Sequence, residues 1–267
     1  MLSTGTDNDT IVRLMQMLES SPDNCSEIIP KVKSLFLPNL QATYALYNDL
    51  GSFGKKDGTV ALAKFYLMGR SLNDLISGFH LATQGYIVQS YTVLRPLLES
   101  IDLIKLFSIC PEYADLWTEG GESAWNKLKP SEVRKKLGEE STSEVYGHFC
   151  ENGTHPTFGG GANMSALKVG ESKPELTIWI GGIHNAYAEP RLLFLFSFIF
   201  VMQGVLMAEV VKLKIDKTPG DYSKFAIENT RNFSAFNAYL CEKLDMENSA
   251  PSKAISKIFD DLESVFE

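Results

Sequence analysis

Residues 191–211 read RLLFLFSFIFVMQGVLMAEVV, and between Leu192 and Ala208 only Ser197, Gln203 and Gly204 are not apolar. A membrane-spanning helix needs about 20 predominantly apolar residues. Here Glu209 closes the run early, and Gln203 and Gly204 interrupt it. Ser197 and Gln203 do not share a helical face, so the helix is apolar nearly all round. Within a large helical domain that pattern marks a central core helix. The expectation is therefore a buried helix of a soluble protein, with the 192–208 membrane span as the minority reading and no membrane partner.

Working outward, nearly every apolar pattern has a helical period. Ile11, Leu14, Met15 and Leu18 form a short stripe. Residues 26–50 give a longer one, which Pro38 is expected to end or kink. GSFGKKDG, residues 51–58, reads as a connector. From Val60 to Leu81, Leu62, Phe65, Tyr66, Gly69, Leu72, Ile76 and Phe79 recur at three- and four-residue steps, as a core-facing helix requires. Gly85 should break the chain before a helix reaching Ile109, which either starts near Pro96 or kinks there. Short helices are expected at 111–117, at 130–137 with Ser131 as cap, and at 139–150. Residues 153–176 are glycine-rich and without period. ELTIWIGGI, residues 175–183, is the single strand candidate, and helices resume over 191–211, 221–244 and 252–266. The predicted fold class is all-α: one domain over 1–267, an irregular bundle of about seven to nine helices around one very apolar helix. Residues 1–9 are expected to be disordered.

Composition narrows the function classes. A net charge of −8 argues against a broad phosphate-binding face, because nucleic-acid affinity comes mainly from Lys and Arg contacts. Arg134, Lys135 and Lys136 are the best candidate for a local basic patch, and a solvated helix end is their expected role. Cys25, Cys110, Cys150 and Cys241 are scattered without a CxxC pair, as free thiols of a reducing compartment are. The opening MLSTGTDNDT has neither a positive start nor an apolar core, so no secretory signal is expected and the cytoplasm is the default.

Two stretches could carry chemistry. In LRPLLESID, residues 94–102, helical geometry puts Arg95, Glu99 and Asp102 at i, i+4 and i+7 on one face, among Tyr91, Leu94, Leu97, Leu98 and Ile101. Charges in such apolar surroundings demand partners. YGHFCENGTHPTFGGGAN, residues 146–163, sets Tyr146, His148, Cys150 and His155 beside a glycine run. Its H-x-C-x₄-H spacing supplies at most three zinc ligands and matches no zinc pattern, so neither metal nor cofactor is expected. The glycines lack the lysine and the preceding strand of a phosphate loop. His155 is instead placed to reach inward to Glu99.

The order Arg95-x-x-x-Glu99 on a long helix, then Trp117 and Trp125, then Tyr146-x-x-x-Cys150-x₄-His155 resembles a group of bacterial helical proteins whose biochemical activity is not established. The likeness covers about the central third to half of the chain. It implies a shared polar cluster of Arg95, Glu99 and His155. A more distant resemblance is to the HEPN superfamily of helical nucleases and nucleotide-binding domains found in phage-defence systems. HEPN nucleases carry R-x₄₋₆-H on one helix; here Arg70 and His80 share a predicted helix but are too far apart, which argues against ribonuclease chemistry.

These readings converge on a ligand-binding or protein-interaction module with a polar pocket. Arg95, Glu99 and His155 are the reactive candidates, and Tyr146, His148 and Asp102 the ligand contacts. The partner is a small molecule or a protein rather than nucleic acid. In an enzyme, a diverged HEPN-type ribonuclease or a metal-assisted hydrolase, Glu99 or His155 would serve as general base and Arg95 would stabilise developing negative charge. In a structural oligomer the 252–266 helix would pack across a homodimer.

Overall fold

The computed structural model describes residues 28–51, 53–138, 140–154, 165–169, 174–178 and 189–217, and individual positions between 220 and 239. The stripe at 11–18, Cys25, His155, Cys241 and the 252–266 helix lie outside the described residues, as do the expected disorder of 1–9 and most of 221–244. Helices build the fold: α1 (Ile28–Asp49), α2 (Thr59–Thr83), α3 (Ile87–Ile109), α4 (Glu112–Glu119), α5 (Gly121–Lys127), α6 (Pro130–Leu137), α7 (Glu140–Phe149), which continues as a π-helical turn over Cys150–Thr154, and α8 (Glu189–Lys217).

The helix read first, α8, lies at the centre, packed on α1, α2 and α3. Its most apolar window has a mean hydropathy of 2.1 and is 89% buried inside the molecule. It is the one described helix long and apolar enough to cross a membrane. Rings join it to its neighbours: Phe36 meets Phe200 at 5.5 Å, Phe79 meets Phe196 at 5.7 Å, and Phe200 stacks on Phe236 at 3.8 Å. Two of its buried polar residues bond locally or to α1. The Ser197 hydroxyl donates to the Leu193 carbonyl one turn back, and Gln203 Nε2 donates to Thr43 Oγ1 on α1 at 2.9 Å. At its far end, Lys214 Nζ donates to the Asp49 carbonyl at 2.8 Å and reaches the Asp49 carboxylate, while Lys217 Nζ donates to the Leu50 carbonyl. Two cations thus sit on the carbonyl end of α1, where the helix dipole favours them.

Two expectations are corrected and one is narrowed. Helix α1 continues through Pro38 and α3 through Pro96, so neither proline ends its helix. The carbonyls that these prolines leave without an N–H belong to Ser34 and Thr92, both exposed, so water can satisfy them. Helix α6 starts at Pro130 with Lys129 before it and no side-chain cap, so Ser131 does not cap it; proline suits that first position because its missing N–H would be unbonded anyway. The supposedly aperiodic segment contains a strand, β1 (Ser165–Val169), antiparallel to β2 (Pro174–Ile178) in the register Ser165↔Ile178 to Val169↔Pro174. The strand candidate ELTIWIGGI holds as far as Ile178. A four-residue connection carrying Gly170 is short enough for a hairpin, which is the signal the helical reading passed over.

The site is positioned by the α2–α3 pair. Gly85, at φ +76°, turns the chain. The Tyr86 N–H donates back to the Leu81 carbonyl and the Gly85 N–H to that of Ala82, a Schellman closure of α2. The two helices then approach closely at Gly78, where a Cβ would come within 2.5 Å of the Leu94 side chain, and Ser90 Oγ donates to the Gly78 carbonyl at 2.7 Å. This close crossing fixes the face of α3 that carries Arg95, Glu99 and Asp102.

Candidate functional site

Helix α3 is covered on that face by α6 and α7, and a chain of polar groups runs along the seam. At its inner end Arg134 Nε donates to Asp102 Oδ2 at 3.0 Å, with the two side chains only 5% and 2% exposed. The guanidinium carbon of Arg134 lies 3.7 Å from the centre of the Tyr146 ring. A desolvated cation on an aromatic face contributes about 2 kcal/mol, so the ring helps hold the buried charge. The Tyr146 hydroxyl then donates to Glu99 Oε1 at 3.0 Å. Arg95 Nε faces the same oxygen at 3.5 Å, and its guanidinium lies 6.0 Å from the Tyr146 ring. Here the side chains open to solvent: Arg95 is 29% exposed and Glu99 27%.

Tyr146 joins the two ends because its ring reaches one guanidinium and its hydroxyl the outer carboxylate. Burial, then the neighbouring Glu99 carboxylate, hold that hydroxyl well above the ordinary tyrosine range, so it remains a proton donor. Cys150, one turn later, lies near the same hydroxyl and pushes it further in the same direction. Two guanidinium groups and two carboxylates balance in charge along the seam.

Four of the six residues picked from the sequence therefore come together: Arg95, Glu99, Asp102 and Tyr146. His155 lies outside the described residues. His148 is on the other side of its helix, ringed by Tyr91 at 5.4 Å, Phe194 at 5.0 Å and Phe149 at 6.3 Å. Arg134 corrects the reading of the basic cluster. Lys135 and Lys136 are exposed, but Arg134 turns inward beside Val133. Val133 and Leu137, four apart, mark the inner face of α6, and Arg134 adjoins that face; this was the signal available for it.

The end of α7 is pinned to α3 by backbone proximity. Thr92 Oγ1 donates to the Gly153 carbonyl at 2.6 Å. A Cβ at Gly153 would lie 2.7 Å from Tyr91 Cβ and 2.9 Å from the Thr92 nitrogen, so only glycine fits without displacement. Among the described residues, no three His, Cys, Asp or Glu side chains gather in a way that could hold a metal ion.

No family model, curated protein or solved structure matches the chain. The functional reading therefore stands on this side-chain geometry. An ion pair sealed at one end and open at the other can present a guanidinium and a carboxylate together, while the sealed end fixes their positions.

Proposed function

We propose that the chain is a soluble ligand-binding or protein-interaction module whose recognition element is the open end of the seam, Arg95 and Glu99 with the Tyr146 hydroxyl behind them. The observation that carries this reading is the gradient of exposure from Asp102–Arg134 to Arg95–Glu99. A pair needed only for packing would be closed at both ends. The outer pair keeps unused guanidinium N–H groups and a second carboxylate oxygen in reach of solvent, which suits a small molecule or peptide offering both a donor and an acceptor. Solubility is supported by the burial of α8 within its own bundle. A general-base role for Glu99 is less well supported, because its Oε1 already accepts from Tyr146 and faces Arg95.

The test is a screen of polar fragments and short peptides against the ¹⁵N-labelled chain. Binding that perturbs the amides around Arg95, Glu99 and Tyr146, and that is lost in folded Arg95→Gln and Glu99→Gln variants, supports the proposal. Ligands that bind elsewhere, or that bind both variants unchanged, overturn it.

A further inference from the structure

The His148 side chain takes no part in the seam, yet its hydrogen bonding is unusually constrained. Asn152 Nδ2 lies 2.8 Å from the His148 carbonyl and 3.2 Å from His148 Nδ1. A carbonyl can only accept, which fixes the amide with its NH₂ toward the histidine. An NH₂ can only donate, so Nδ1 must accept and the imidazole proton is on Nε2. Nε2 is buried and has no hydrogen-bond partner among the described residues. The ring sits among the edges and faces of Tyr91, Phe149 and Phe194. Neutral imidazole suits the Asn152 bridge; imidazolium does not. A proton on Nδ1 would point at the Asn152 NH₂. Turning the amide over to accept it would break the bond to the His148 carbonyl, at the junction between α7 and the π-helical turn.

We propose that His148 is a proton-operated latch, which when neutral holds the Cys150–Thr154 turn against α3 and on protonation at Nδ1 releases it. Among the contacts that hold the turn are the Asn152 bridge, the Thr92–Gly153 hydrogen bond and the close approach of Gly153 to Tyr91. Loss of the first loosens its start. The charged groups around the ring are few. Glu151 on its own segment favours the imidazolium, α3 presents the neutral hydroxyl of Tyr91, and α8 presents Arg191, whose charge acts on that hydroxyl. Burial outweighs Glu151 and holds the imidazole below its ordinary value. A histidine depressed on folding takes its proton first in the unfolded chain. Its contribution to stability is therefore complete above the ordinary value of about 6.5 and is lost as pH falls from there toward the lower folded value. The latch does not depend on what the seam binds.

Amide exchange of the native chain, corrected for its intrinsic pH dependence, tests this at about pH 7.5 and about pH 5.5. The expected result is a rise of about tenfold or more in exchange at residues 150–154 on acidification, with the α2 core unchanged. His80 is also depressed, by burial and then by Lys33, so it shares any global acid destabilisation; the local readout and the variants separate the two. His148→Phe fills the aromatic ring without titrating and should abolish the rise. Asn152→Asp supplies an acceptor for Nδ1–H and should reverse it, giving more protection at the lower pH. The four histidine Hε1 signals, assigned by the loss of one in His148→Phe, should show His148 titrating below about 6.5. An unchanged exchange rate at 150–154, an equal rise in His148→Phe, or greater loss of protection in Asn152→Asp on acidification overturns the latch. If His148→Phe does not fold, the Asn152→Asp comparison decides alone.

Discussion

At the scale of single residues, the seam divides into groups that hold the fold and groups that face outward, and burial sets the division. Asp102 and Arg134 are almost fully enclosed, so removing one leaves an uncompensated charge in the interior. Asp102→Ala or Arg134→Met should each cost about 3–5 kcal/mol in chemical denaturation, and Asp102→Leu with Arg134→Met should recover much of that loss. Arg95 and Glu99 are partly solvated, and exposed i,i+4 pairs contribute only about 0.3–0.5 kcal/mol. Arg95→Gln and Glu99→Gln should therefore shift the denaturation midpoint little. A large loss of stability in either would recast the outer pair as structural. The sequence showed that Arg95, Glu99 and Asp102 share a face, because helical spacing fixes it. It could not show that Asp102 would choose Arg134, since that contact joins residues 32 apart through the packing of α6.

At the scale of elements, the decisive contacts are those in which two backbones come close. The α2–α3 crossing depends on Gly78, and the docking of the π-helical turn on Gly153. Gly78→Ala would push a methyl group into Leu94 and should cost about 1–3 kcal/mol, more than the small helix-propensity gain it brings. A stabilised Gly78→Ala variant in thermal melts would show that the crossing has room to spare. The extent of α2 was readable because its apolar residues repeat at helical steps, whereas α8, read over 191–211, runs on to Lys217. Whether the two prolines would end their helices was not readable, because proline's cost depends on whether the carbonyl it abandons can find water, and exposure is a tertiary property. The β-hairpin was missed for a related reason: each strand is five residues long and becomes recognisable only through its partner.

At the scale of the whole molecule, an apolar helix was assigned to the core from two flaws in its hydrophobicity, Gln203 and the early charge at Glu209. Both have defined places: Gln203 bonds Thr43 on α1, and Glu209 is buried with its carboxylate 2.8 Å from Lys212 Nζ. The chain should be recovered without detergent after high-speed centrifugation; quantitative sedimentation with membranes would contradict the burial of α8. The lysine tie between α8 and the end of α1 also bears on how the molecule is made. Lys214 and Asp49 are 165 residues apart in sequence. At roughly 5–20 residues per second, a ribosome takes about 10–30 s to supply the second partner after the first. During that interval the faces of α1 and α2 that will receive α8, Phe36 and Phe79 among them, emerge from the exit tunnel uncovered. Nascent chains stalled before residue 189 should accordingly bind holdase chaperones, and those extended past residue 217 by a tunnel-length linker should let them go.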